Sequence, residues 1–103
     1  MTSFRTLCSV SDVPEGTGKM VMVDDLQLGV FRVEGEIFVI DNRCPHAGAS
    51  LAAGVVEGKR VFCRIHYWEF DLSTGDRLDL PCPAAVRTYA VRVVDEQVQV
   101  DLG

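Results

Sequence analysis

Two short clusters of cysteine and histidine are the part of this sequence best suited to chemistry. Cys44 and His46 form a Cys-x-His pair, Cys63 and His66 form a Cys-x-x-His pair, and sixteen residues separate the two pairs. The chain contains only two histidines, and both belong to this set. Thiolates and imidazoles are ligands of zinc and of some iron–sulfur clusters. The four residues therefore predict a metal centre.

Two kinds of centre fit these four ligands. Zinc sites usually join two cysteines in one motif and two histidines in the other, whereas each pair here mixes one cysteine with one histidine. A [2Fe–2S] cluster in which two histidines replace two cysteines on one iron uses the mixed arrangement. The spacing favours the cluster over zinc. A third interpretation, unrelated core cysteines and surface histidines, requires the clustering to be chance.

The elements around both pairs have the pattern of β-strands. Short runs alternate apolar with polar residues and end at turn residues, which is typical of strands. The predicted strands cover residues 4–8, 20–23, 26–33, 37–41, 68–72, 88–94 and 97–102, with turns at 34–36, 73–76 and 95–96. Only residues 11–15 suggest a helical turn. Without crossover helices we expect an all-β antiparallel sandwich or barrel, in which residues 42–54 and 80–85 are loops.

Length and composition narrow the function classes. A chain of 103 residues with 48% hydrophobic residues is expected to be a single domain, 1–103. Its net charge of −5 argues against nucleic acid and suits partners that carry basic patches. No apolar run approaches the roughly 20 residues that span a bilayer, and the N-terminus lacks a secretion signal. We therefore expect a cytoplasmic protein with no membrane partner, in which Cys8 and Cys82 are small apolar residues rather than ligands.

The residues around the two pairs closely resemble the Rieske ferredoxin family. The resemblance covers essentially the whole chain and is most specific in residues 44–51, 63–75, 80–83 and 89–102. It implies a Rieske-type fold with two cluster-binding loops and one [2Fe–2S] cluster. It also implies that Cys44 and Cys63 bind one iron, that His46 and His66 bind the other, and that the loop at Pro81 covers the cluster.

Two departures of this sequence from the family pattern bear on the reduction potential of the implied cluster. High-potential members carry a serine and a tyrosine where this chain has Trp68 and Phe70, and their disulfide would fall at Ala49 and Ile65. Both departures point to the low-potential ferredoxin branch. Tyr67 replaces a residue that is commonly small, and we interpret it as an aromatic shield at the cluster rim, with a role in partner docking as the alternative.

The sequence also limits the reaction. A Rieske oxygenase needs a second iron held by two histidines and a carboxylate, and no histidine remains after the cluster is built. No G-x-G-x-x-G motif indicates a nicotinamide or flavin. The resemblance implies an electron carrier between a flavin-containing ferredoxin reductase and a terminal Rieske oxygenase that hydroxylates aromatic rings. The alternatives are the small subunit of an NADH-dependent nitrite reductase and a zinc-binding interaction module.

Overall fold

Strands make up nearly all of the regular structure in this computed structural model, which describes residues 4–44, 48–64, 67–78 and 85–102. The predicted all-β class is confirmed. No helix in these segments has the length and apolar character needed to cross a membrane. The strands are β1 Phe4–Ser9, β2 Thr17–Val23, β3 Leu26–Val33, β4 Glu36–Asp41, β5 Val55–Glu57, β6 Arg60–Phe62, β7 Glu69–Asp71, β8 Thr88–Tyr89, β9 Val91–Val94 and β10 Gln97–Asp101, with 3₁₀ turns at Val10–Asp12 and Leu51–Ala53.

The strands form three antiparallel sheets, in the orders β1-β10-β9, β2-β3-β4-β8 and β5-β6-β7. Two-residue turns close the hairpins β3–β4 and β9–β10. Glu34 and Gly35 form the first turn, with φ of 52° and 77°, and Asp95 and Glu96 form the second, with φ of 51° and 65°. Positive φ at both positions is the turn geometry that matches the twist of paired strands. The hairpin turns at 34–36 and 95–96 are thus confirmed.

Within the four-stranded sheet, β3 is buried on both faces. Along β3, Leu28 and Val30 point to one core while Phe31 and Val33 point to another, because successive side chains of a strand face opposite sides. The base core comprises Val13, Val23, Leu28, Val30, Val39, Tyr89, Val98 and Val100. The loop-side core comprises Phe31, Val33, Ile40, Cys44, Leu51, Val61, Cys63, Phe70, Leu72 and Val86.

The structure differs from the predicted elements at several points, and β2 begins at Thr17 rather than at residue 20. The predicted strand 88–94 is two strands, because β8 pairs with β4 while β9 pairs with β10, and the chain changes sheets at Ala90. The three-residue strands β5 and β6 were not predicted, since runs this short cannot show alternation. The strand expected at 68–72 is limited to Glu69–Asp71, and the helical turn lies at Val10–Asp12.

Candidate metal centre

Cys44 lies in a tight loop that follows β4. This loop, residues 42–50, is called loop 1. The Cys44 backbone N–H donates to the Ala49 carbonyl at 2.8 Å, and the Gly48 N–H donates to the Cys44 carbonyl at 2.8 Å. Gly48 has φ of 70°, a left-handed conformation that glycine adopts without steric cost. Arg43 and Ser50 form an antiparallel bridge at the base of the loop. Loop 1 is therefore closed by its own backbone.

A buried asparagine holds loop 1 in place. Asn42 is 1% exposed, and its amide exchanges hydrogen bonds with the Ser50 hydroxyl at 3.0 and 3.2 Å. The Asn42 Oδ1 atom also accepts from the Ala52 N–H at 2.8 Å. A buried amide is stable only when such partners are present. The sequence analysis did not identify Asn42. The feature that could have revealed it is its position, since it is a polar residue directly between a predicted strand and the first Cys-x-His pair.

Cys63 begins the second loop, residues 63–68, called loop 2. It directly follows β6, and its N–H donates to the Trp68 carbonyl at 2.8 Å. Because β6 and β7 pair antiparallel on either side, with Phe62 opposite Glu69, loop 2 is the loop of a hairpin. Tyr67 lies in this loop with φ of 56° and is 69% exposed. An exposed aromatic ring at this place fits either of its two predicted roles.

The two cysteines share one apolar environment. Cys44 is 1% exposed, Cys63 is fully buried, and both belong to the loop-side core. The segment that follows loop 1 runs close to the residue that precedes loop 2: a Cβ atom at Gly54 would lie 2.2 Å from the Phe62 carbonyl oxygen. The Arg64 Nε also donates to the Ala53 carbonyl. Two thiols converging in a dry core are a donor pair that fits an iron–sulfur cluster.

The histidine of each predicted ligand pair is not among the residues that the structure describes. His46 and His66 fall outside the described residues, as do Pro81 and Cys82 of the predicted covering loop. The described chain on either side of that loop is tied down: the Leu78 N–H donates to the Glu69 carbonyl at 2.8 Å, and the Val86 N–H donates to the Gly75 carbonyl at 2.9 Å.

Aromatic residues and a guanidinium stand beside loop 2. Trp68 packs against the loop-side core, and the Cζ atom of Arg77 lies 3.2 Å from the centroid of its ring. The centroids of Trp68 and Phe70 are 6.4 Å apart. Phe70 is fully buried. Neither aromatic side chain carries a hydroxyl, so neither can supply the hydrogen bond of the high-potential members.

Cys8 lies apart from these loops, on β1. It packs partly buried against the base core and forms no disulfide. Burial raises the pKa of the Cys8 thiol, and the nearby Asp12 carboxylate adds to the shift. A thiol held protonated is a poor ligand, which agrees with the expected role of Cys8 as an apolar residue.

Comparison with known proteins gives the family. The model of the Rieske [2Fe-2S] domain matches residues 3–90. The ferredoxin component of the naphthalene 1,2-dioxygenase system of Pseudomonas aeruginosa is 36% identical over 92 residues, which are 89% of this chain and 88% of that protein. The Sphingomonas yanoikuyae B1 ferredoxin superposes with a TM-score of 0.90 at 34% identity, covering 98% of this chain and 100% of that one.

Two further structures bear on the choice between carrier and subunit. A chain in the complex of reduced oxygenase and oxidized ferredoxin in carbazole 1,9a-dioxygenase has a TM-score of 0.86 at 29% identity, covering 95% of this chain and 92% of that one. The putative NADH-dependent nitrite reductase small subunit from Mycobacterium tuberculosis has a TM-score of 0.90 at 28% identity, covering 100% and 97%. The chain belongs to the Rieske [2Fe–2S] domain family and binds one [2Fe–2S] cluster, as its resemblance to Rieske ferredoxins predicted.

Proposed function

We propose that the chain is a single-domain Rieske ferredoxin, a cytoplasmic one-electron carrier. It takes electrons from a flavin-containing ferredoxin reductase and delivers them to the terminal oxygenase of an aromatic-ring hydroxylating dioxygenase. The observation that carries this proposal is the pair of buried cysteines, Cys44 and Cys63, which begin two neighbouring loops and share one core. The naphthalene-system relative supports the destination of the electron, and the carbazole complex provides a precedent for ferredoxin meeting oxygenase.

The proposed ligands are Cys44 and Cys63 on one iron and His46 and His66 on the other. When bound, the cluster supplies a centre that gains and loses one electron. Two thiolates and two neutral imidazoles contribute two negative charges, where four thiolates would contribute four. Less negative ligation makes an added electron less costly, and Rieske potentials accordingly lie at roughly −150 to +300 mV, against about −400 mV for plant-type clusters.

The described side chains supply the rest of the environment. Leu51, Phe70 and Leu72 are at most 1% exposed and exclude water from the inner side of the cysteines. Trp68 and Phe70 offer no hydroxyl to a cluster sulfur, so the reduced state lacks the hydrogen bonds that raise the potential. We therefore assign a potential at the low end of the Rieske range.

Substrate oxidation occurs in another protein under this proposal. The chain has two histidines, and both are assigned to the cluster. A mononuclear iron site with two histidines and a carboxylate therefore cannot be assembled from what remains. The chain is an electron-transfer component and not itself an enzyme.

The second candidate is the small subunit of an NADH-dependent nitrite reductase, which the Mycobacterium tuberculosis structure favours. All four Rieske ligands are present in this chain, and this favours a redox-active carrier over a structural subunit. Two relatives, at 36% and 35% identity, are also ferredoxin components.

Metal analysis and electron paramagnetic resonance test the proposal. Purified protein should contain about two irons and two acid-labile sulfides per chain. Dithionite should bleach its brown colour and produce a rhombic signal with average g below the free-electron value. One zinc and no labile sulfide, in protein made with ample iron, would contradict it. A colourless protein that holds neither iron nor zinc would favour the nitrite reductase subunit.

A further inference from the structure

We propose that Arg43 and Arg64 form an arginine rim around the cluster-bearing loops, and that this rim docks a carboxylate-rich surface of an electron-transfer partner. The proposal rests on the proposed function and adds the chemistry by which a partner is recognised. Arg43 directly precedes Cys44 and Arg64 directly follows Cys63. Each loop therefore carries one guanidinium beside its ligand cysteine.

Both arginines have a positioned side chain while the residues stay exposed. The Arg43 side chain lies along loop 1, since its Nε would be 3.2 Å from a Cβ atom at Gly48. The Arg64 Nε donates to the Ala53 carbonyl, which leaves the terminal nitrogens of the guanidinium for other partners. Side chains that are already positioned lose less conformational entropy when a partner binds.

The described part of the chain offers the two rim guanidinium groups no carboxylate partner. Four basic residues elsewhere are paired with carboxylates, namely Arg5 with Asp24, Arg32 with Glu15, Lys59 with Glu36 and Arg60 with Glu69. Among the residues that the structure describes, no carboxylate pairs with Arg43 or Arg64. Loops 1 and 2 contain no aspartate or glutamate. Outside the proposed cluster, the side chains of the two loops thus carry a charge of +2 on a chain whose net charge is −5.

Local charge decides docking because a partner must approach these loops to receive an electron. Charges farther away than about 8–10 Å are screened at physiological ionic strength. Guanidinium groups bind carboxylates through paired hydrogen bonds, so an acidic surface is the matching partner. This reverses the expectation of a basic partner that the net charge alone suggests.

Oxidation of the reduced holoprotein by small ions of opposite charge tests the rim. Trianionic hexacyanoferrate(III) and tricationic tris(phenanthroline)cobalt(III) each accept one electron from the reduced cluster, which returns to its oxidised state. For wild type, the rate with hexacyanoferrate should fall as ionic strength rises, and the rate with the cobalt complex should rise. A rate with hexacyanoferrate that increases with ionic strength would overturn the proposal.

Variants separate local charge from net charge. The double variant R43Q/R64Q should react about three- to tenfold more slowly with hexacyanoferrate at low ionic strength. The control K19Q/R92Q removes the same charge from β2 and β9, away from the loops, and should react like wild type. Equal slowing by both variants would show that net charge governs the rate and would overturn the rim. Midpoint potentials of all three proteins correct the rates for driving force.

A binding measurement tests the chemistry of the partner. Poly-L-glutamate, titrated calorimetrically at low ionic strength, should bind wild type and K19Q/R92Q but not R43Q/R64Q. No binding to wild type would contradict recognition of carboxylates. A protein that exchanges no electron with either oxidant would contradict the proposed function instead, so the two failures are distinguishable.

Discussion

At the scale of single residues, the two candidate ligand cysteines could be singled out from the sequence, but the contacts that surround them could not. Scarce residue types at short spacing predicted Cys44 and Cys63, and the structure buries both in one core. The stacking of Arg77 on Trp68 could not be predicted, because it joins residues on two segments whose approach depends on the fold. The spacing of residues in the sequence shows only which residues are close along the chain, whereas the contact between Arg77 and Trp68 is a tertiary contact.

Serine substitution tests the assignment of the cysteines. C44S and C63S should lose most of the cluster. A serine hydroxyl is much less acidic than a thiol, so it does not supply the anionic ligand that a cysteine thiolate does. C8S should retain the cluster, since Cys8 packs against the base core. Visible absorption and labile sulfide give the measurement, with circular dichroism as the control for folding. Retention of the cluster in C63S and loss in C8S would show that the ligand set is wrong.

Tyr89 provides a test of alkaline stability. Burial raises the pKa of Tyr89 to about 12, helped by its hydrogen bond to Asp41 and by the charge of that carboxylate; the Oη–Oδ1 distance is 2.6 Å. The protonated ring is favoured in the folded state, so its contribution is complete below pH 10, the usual pKa, and is lost between pH 10 and 12.

Y89F should therefore be less stable than wild type at pH 7 by about 1 kcal/mol, the worth of one hydrogen bond. Above pH 10 the difference should shrink, because only wild type loses this contribution. Urea unfolding at pH 7 and at pH 11 measures both values. An equal difference between the two proteins at both pH values would contradict the account.

At the scale of elements, long alternating strands were predictable and short ones were not. The β3–β4 hairpin follows from its alternation and its Glu-Gly turn, and the structure confirms it. β5 and β6 have three residues each, and their existence depends on packing against the loop-side core. The change of sheets at Ala90 is a tertiary effect as well, since both β8 and β9 satisfy the same local pattern.

Loop 1 should depend on Asn42 for its conformation. N42A removes the buried amide and leaves the Ala52 N–H and the Ser50 hydroxyl without their partner. The expected cost is about 1–3 kcal/mol, because unsatisfied buried groups lose their solvation without compensation. S50A, the matched control, removes one partner only and should cost less. Urea unfolding of the two variants checks this order, and equal stabilities would show that Asn42 does not hold the loop.

At the scale of the whole molecule, the protein has two hydrophobic cores, and only one of them contains the cysteines of the candidate metal centre. The base core joins the four-stranded sheet to the β1-β10-β9 sheet, while the loop-side core contains both proposed ligand cysteines. Composition predicted one domain of sufficient hydrophobicity, but not this division, because β3 supplies both cores from one continuous apolar run. The negative net charge of the chain likewise gives no indication that the side chains of the two loops are positively charged.

Acid stability of the fold should depend in part on Glu15, which links the segment before β2 to the β3–β4 turn. Backbone N–H groups of Gly35 and Glu34 donate to its carboxylate at 3.0 and 2.7 Å and lower the pKa of Glu15 below its usual 4.5. The folded state favours the carboxylate, so this stabilisation is present above pH 4.5 and is lost as the pH falls through the lower, folded-state pKa.

E15Q should be less stable than wild type at pH 7, and the difference should narrow at pH 3. Urea midpoints at the two pH values give the comparison. A gap that stays constant, or widens on acidification, would show that the carboxylate does not stabilise the turn.

The midpoint potential at pH 7, measured by protein-film voltammetry, tests the central claim most directly. A centre with two histidine ligands and no hydroxyl at Trp68 or Phe70 should show a one-electron couple at the bottom of the Rieske range, around −150 mV. H46C or H66C, if a cluster assembles, should lower it, because an anionic ligand replaces a neutral one. A potential near +300 mV would place the protein in the high-potential branch and contradict its assignment as a low-potential carrier.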